Sequence, residues 1–190
     1  YFAKVTDDSF DWVRLEKNAG YIRDFFAASG KPCTALIVPS PAGILRDMLP
    51  ENAPYFNEDK AFGQLGDILG STLLDSRETL SAVDDPYYHT DHHWTTMGAQ
   101  AAYTLWAQAT GHTARSYDLT LATDSFRGTL YSKVLLPDSV YDSVYYAPEI
   151  TVESVVCDGK DGALYDLSEF EDYEEVLKSF SPEAAVPFQF

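Results

Sequence analysis

Cationic side chains are scarce in this sequence: 13 Lys and Arg stand against 30 Asp and Glu in 190 residues, a formal net charge of −17. A phosphate backbone needs clustered Lys and Arg, so nucleic acid is excluded as an expected partner. An anionic membrane surface is excluded on the same ground. Cysteine is scarcer still: Cys33 and Cys157 are the two, too few for a disulfide framework. Cys33 opens a strand-like run and reads as a buried thiol; a single bridge between the two is the alternative. No apolar run approaches the roughly 18 residues of a transmembrane helix. Internal repeats and low-complexity tracts are missing too. Disorder is excluded by what is present: hydrophobic residues make up 45% and aromatics 14%, apolar surface that can offset the entropy of ordering. The length suits one domain with room for an appendage.

The chain opens on Tyr1 and closes on the apolar tail Ala184-Ala185-Val186-Pro187-Phe188-Gln189-Phe190. The expectation is a processed or trimmed piece, an incomplete domain. A cleaved leader would leave no trace, so location is not directly legible.

Residues Asp8 to Ser29 read as a helix, with Phe10, Val13, Ile22, Phe25 and Phe26 close to one face. Asp7, Asp8 and Ser9 offer caps, Gly30 and Pro32 stop it, and Gly20 threatens to split it. Cys33 to Val38 is short, apolar and β-branched, the pattern of a strand buried on both faces of a parallel sheet. Pro39 to Gly43 follows as a loop at its carboxyl end, the edge where open α/β sheets bind ligands. Asp59 to Leu69 reads as a short helix, Ser71 to Asp75 as a second strand and Leu80 to Pro86 as a loop. Met97 to Thr110 is the clearest helix. Ala102, Leu105, Trp106 and Ala109 share a face, Thr95 or Thr96 caps it and Gly111 ends it.

After Gly111 the character changes. Tyr, Ser and Asp become frequent, and strand is expected around Val140 to Tyr146 and over Ile150 to Cys157. A turn is expected at Asp158 to Gly162 and a terminal helix over Asp172 to Phe180. The acidic run Glu169 to Glu175 reads as a solvated face. The expected organisation is an α/β core over 1–111 and a β-rich extension over 112–190 packed on it.

Chemistry concentrates in Tyr87-Tyr88-His89-Thr90-Asp91-His92-His93-Trp94. If the segment is extended, side chains alternate; His89, Asp91 and His93 then share a face and His92 points away. It runs into a helix start, with free N–H groups and a partial positive charge. Two chemistries fit these residues. In one, Asp91 orients His93, which acts as general base for a serine hydroxyl. In the other, His89, Asp91 and His93 hold zinc or another divalent ion. No resident cofactor is otherwise indicated.

Asp91-His92-His93-Trp94-Thr95 with Gly98 following resembles the signature of the bacterial DHHW proteins. It is also similar to the Asp-x-His-Trp motif of the alginate O-acetyltransferase group; both belong with the SGNH-hydrolase-like proteins. Leu36 to Ser40 with Leu49-Pro50, Tyr87 to Thr90 and Gly128 to Lys133 agree with that resemblance, which spans roughly Gly20 to Tyr146. It implies a flavodoxin-like three-layer αβα fold and Asp91 and His93 as members of a Ser-His-Asp triad. In the acetyltransferase group the nucleophilic serine follows Asp and His in an Asp-Ser-Phe/Tyr motif. Thr123-Asp124-Ser125-Phe126 matches it, so Ser125 is the candidate within the chain. The segment before Ser125 is mixed rather than an apolar strand, and a serine beyond Phe190 is the other expectation.

Three further residues qualify as substrate contacts. Ser40 follows the first strand, where an oxyanion donor or nucleophile can stand, although its flanking prolines more simply make a rigid turn. Trp94 can stack on a sugar or simply pack. Ser132 lies in the Tyr131-Ser132-Lys133 loop segment. Arg46 is one of few cations near the sheet edge, and His112 reads as a helix-end residue. The resulting expectation is an extracytoplasmic bacterial esterase or O-acetyltransferase acting on carbohydrate esters. The rivals are a non-catalytic carbohydrate-binding module and a metal-dependent enzyme.

Overall fold

In the computed structural model, residues 5–54, 56–134, 139–149, 155–157 and 160–162 are described, the last two segments as backbone. The described residues fall into two compact units, one within 1–115 and 127–140 and one within 116–126 and 141–190.

The first unit is α/β. Helix α1, Trp12–Ser29, starts at Asp11, whose carboxylate accepts the N–H of Arg14, and ends at Gly30 with φ 61°. That left-handed turn suits glycine. The cap is thus Asp11 rather than Asp7, Asp8 or Ser9, and the helix runs unbroken through Gly20. Its inner face is Leu15, Ala19 and Ile22; of the face expected, Ile22 is on it, whereas Val13 is 75% and Phe25 68% exposed. Ala19 decides the register, because its small side chain lets the helix approach Leu65 and Leu69 of α3, Glu58–Leu69.

Strand β1, Ala35–Ile37, pairs in parallel with β2, Leu73–Asp75, Ala35 opposite Leu73 and Ile37 opposite Asp75. Ala35, Ile37 and Leu73 join the cluster around Ala19, Leu65 and Leu69. β1 is half-buried rather than covered on both faces. The loop expected after β1 contains a short helix α2, Pro41–Ile44, with Ser40 as its cap and Pro41 at the first position. Such a proline surrenders no needed N–H. Helix α4, Arg77–Ser81, follows β2 and buries Leu80 completely. Helix α5, Thr96–Ala109, is capped by Thr95, as expected. Its buried residues are Gly98, Ala102 and Ala107. Trp106 is instead turned outward and stacks on His112 at 5.4 Å between ring centres.

In the second unit, β3, Thr120–Phe126, pairs antiparallel with β4, Asp142–Tyr146, with two register shifts along the ladder. β3 is a strand where the sequence looked mixed. Its burial does not alternate regularly, and the shifts explain why a period of two is hard to read there. β5, Val155–Cys157, pairs with β6, Lys160–Gly162. The expected terminal helix, the acidic run and the apolar tail lie outside the described residues, as does the side chain of Cys157. Cys33 is a half-buried free thiol whose Sγ lies 3.3 Å from Ser29 Oγ. Among the described residues no helix is long and apolar enough to cross a membrane.

Candidate active site

The loop between α4 and α5 is closed at its base. Thr95 donates its N–H to the carbonyl of Pro86 at 2.9 Å and its hydroxyl to that of Asp85 at 2.6 Å. Its Oγ1 accepts the N–H of Gly98 at 3.2 Å. Gly98 is required by proximity: a Cβ there would lie 2.6 Å from the Pro86 carbonyl oxygen. One step further in, Tyr87 pairs with Trp94 in an antiparallel bridge, and the N–H of Tyr88 reaches the carbonyl of His93 at 3.1 Å. The loop is also tied to the edge of β1, since the Tyr87 hydroxyl donates to the Pro39 carbonyl at 2.5 Å.

With its two ends paired, the segment bends back and is not extended. Strict alternation therefore fails. Asp91 Oδ1 accepts the N–H of His93, two residues on, at 3.0 Å; this is the local bond by which Asp closes a turn. The same oxygen lies 2.5 Å from His93 Nδ1. His92 does not point away: its Nδ1 is 3.5 Å from Asp91 Oδ1 and 3.2 Å from Thr129 Oγ1. Asp91, His92 and His93 converge within 4.8 Å, whereas the exposed His89 is not part of that group.

The second oxygen of Asp91 is held from far along the chain. Oδ2 accepts the N–H of Thr129 at 2.8 Å and its hydroxyl at 3.0 Å. The approach depends on Gly128, where a Cβ would lie 2.3 Å from Asp91 Cβ and 2.5 Å from Oδ2. The fully buried Thr90 fixes the same strap: its Oγ1 accepts the N–H of Gly128 at 2.9 Å. Its carbonyl accepts those of Leu130 at 2.9 Å and Tyr131 at 3.2 Å.

Asp91 is only 5% exposed. Burial alone pushes its carboxyl pKa up, but the N–H groups of Thr129 and His93, the imidazole and the Thr129 hydroxyl together bring it down to about 2. The carboxylate is therefore charged at neutral pH. Because a carboxylate only accepts, the His93 Nδ1 facing it is assigned the proton, and Nε2 is then the basic nitrogen. A buried anion, an imidazole in fixed tautomer and a basic Nε2 make an acid–base pair able to serve a hydroxyl nucleophile.

The remaining candidate residues are placed as follows. Trp94 is half-buried in the bridge with Tyr87. Ser132 is exposed, and its hydroxyl donates to the Thr129 carbonyl at 3.0 Å. Ser40 donates its hydroxyl to Glu58 in a very short bond and accepts the N–H of Gly43 at 3.2 Å. Ser125 is exposed on β3, in the second unit, with its Oγ 3.0 Å from Thr123 Oγ1.

Sequence reasoning quotes Tyr87, Thr90, Gly128 and Thr129 within motifs but gives them no role, and it passes over Glu58 altogether. Glu58 looks like an ordinary acidic residue in a first helical turn but is 4% exposed. Burial, with the nearby Glu58 charge second, pushes the Tyr87 phenol above its usual range. The signal for Thr129 was the Gly128-Thr129-Leu130-Tyr131 run, legible as a motif but not as a contact. A hollow of about 600 Å³ opens beside α2 and includes neither Asp91 nor His93. Four of its charged wall residues are mutually paired: Arg46 with Asp59 at 2.7 Å, and Arg77 with Asp59 at 2.5 Å and Asp75 at 2.6 Å.

Residues 11–140 match the family described as SGNH hydrolase-like domain, acetyltransferase AlgX. Among solved structures, a DHHW family protein from Eubacterium siraeum DSM 15702 is similar in fold, with a TM-score of 0.59 at 20% identity. The alignment covers 77% of this chain and 49% of that one, so this chain spans about half its length. No curated protein matches the sequence.

Proposed function

The chain belongs to the SGNH hydrolase-like, acetyltransferase AlgX domain family, and from that premise we propose that it serves ester chemistry on carbohydrate, as an esterase or O-acetyltransferase. The observation that carries the reading is the 2.5 Å contact between His93 Nδ1 and an Asp91 anchored on its far side by Thr129. In this reading His93 Nε2 takes the proton of a serine hydroxyl as its oxygen attacks the acyl carbon. The tetrahedral oxyanion is stabilised by N–H donors and collapses. The leaving sugar alcohol receives the proton from His93, and an acyl-serine remains. Water or an acceptor sugar hydroxyl then gives its proton to the same nitrogen and takes the acyl group, and the imidazolium returns that proton to the departing serine oxygen. Asp91 stays ionised throughout and stabilises the imidazolium.

Ser125 is the candidate nucleophile within the chain, and a serine outside these 190 residues is its rival. Trp94, Ser40 and Ser132 are proposed substrate contacts. The proposed setting is extracytoplasmic, on envelope or secreted polysaccharide of a bacterium, in keeping with the acetyltransferase for which the family is described.

Intact-mass analysis after treatment with a fluorophosphonate tests the reading, alongside release of acetate from acetylated oligosaccharides. One adduct per chain, mapped to Ser125 and lost in His93→Ala, is the expected result for an in-chain nucleophile. No adduct and no acetate release from folded protein refutes catalysis by this chain and favours a binding module.

A further inference from the structure

We propose that Asp91, His92 and His93 also form a binding site for a divalent first-row transition ion such as Zn2+, and that occupancy disables the acid–base pair. Each residue brings one ligand atom within 4.8 Å of the other two. Two imidazoles and one carboxylate form the open three-ligand set that suits zinc and leaves a position for water. Such donors favour zinc over magnesium, which prefers an all-oxygen shell.

The geometry is close to what an ion needs. Tetrahedral bonds of about 2.0–2.1 Å place neighbouring ligand atoms roughly 3.3 Å apart. His92 Nδ1 and Asp91 Oδ1 are already 3.5 Å apart. The His93 edge, to which the shared proton is assigned, is 2.5 Å, and it must open by roughly 0.8 Å to exchange that proton for an ion. The rings have room to adjust, since the His92 and His93 side chains are 55% and 43% exposed. The carboxylate is preset, because Thr129 holds Oδ2 and leaves Oδ1 facing both rings. Among the described residues, the ion displaces the contact of His92 Nδ1 with Thr129 Oγ1 at 3.2 Å.

The consequence follows from proton bookkeeping on the ring. A neutral imidazole that ligates through Nδ1 carries its proton on Nε2. Zinc at His93 Nδ1 therefore moves the ring proton to Nε2, the nitrogen that must be vacant to deprotonate a serine. Only this consequence rests on the acid–base reading above; the binding does not.

Calorimetric titration of ZnSO4 into EDTA-stripped protein without a polyhistidine tag tests the site. One ion per chain is expected, with no saturable heat from MgSO4. His92→Gln is expected to weaken binding by about tenfold or more, and His89→Gln to leave it unchanged. Long-range 1H–15N spectra of the unmodified zinc-loaded chain should show metal-bound Nδ1 and protonated Nε2 in both rings. Absence of saturable binding, full affinity in His92→Gln, an equal loss in His89→Gln, or metal on Nε2 would each overturn the proposal. Zinc binding without acetate release refutes only the esterase reading, and acetate release indifferent to zinc refutes only this one.

Discussion

Gly128 lies so close to Asp91 that a single added Cβ would stand 2.3 Å from the Asp91 Cβ. No rotamer relieves that contact, because a Cβ has none. Gly128→Ala should therefore push the carboxylate off Thr129 and His93. A stability loss of about 1–3 kcal/mol is expected from the overpacking, read as a lowered midpoint in urea. Esterase activity should fall further than stability does. A Gly128→Ala protein with unchanged midpoint and rate would mean that the strap is not held where we place it.

Asp91→Asn keeps the shape of the side chain but removes the charge that fixes the His93 tautomer. By analogy with triads in general, kcat should drop by about 10³–10⁴-fold. Thermal unfolding run beside the assay separates loss of the pair from loss of the fold.

The folded Asp91 carboxyl is held down to about 2, below the roughly 3.9 of an unfolded chain. Its contribution to stability is therefore full above about pH 5, falls as pH drops through 4, and is gone below about 2. The difference amounts to roughly 2 kcal/mol. Denaturant midpoints measured from pH 6 to pH 2 should show that slope in the native protein and a shallower one in Asp91→Asn.

Thr90 is fully buried and satisfies the N–H of Gly128. Thr90→Val leaves that donor without its acceptor at a cost of about 1–3 kcal/mol, whereas Thr90→Ser should recover most of it. Equal melting temperatures for the two variants would contradict the contact.

The sequence was most informative where structure is local. Helix α5 and its Thr95 cap follow from periodicity and cap chemistry, and β1 and β2 stand within the two apolar runs that read as strands. The family resemblance read from Asp91 to Trp94 agrees with the match over residues 11–140. It was least informative where an element has apolar residues on several faces. Val13, Tyr21 and Phe25 of α1 look as eligible for the core as Leu15 and Ile22, and only the small Ala19 opposite Leu65 and Leu69 settles the choice. Only an extended histidine segment puts His89, Asp91 and His93 on one face. The pairing of Tyr87 with Trp94 forbids that and brings in His92 instead of His89. Thr129 and Glu58 are contacts between segments distant in sequence, and no local pattern announces them.

The donor and acceptor at the heart of the site stand two residues apart in one turn, while the anchor of that turn lies 38 residues downstream. Their mutual distance is thus set within the turn for as long as Gly128 and Thr129 keep their place beside Asp91. Their aim is not. Insertions between Trp94 and Gly128 would leave the turn intact and rotate it as a rigid piece. Divergence within such a fold is therefore free to re-aim the imidazole without rebuilding the turn that orients it.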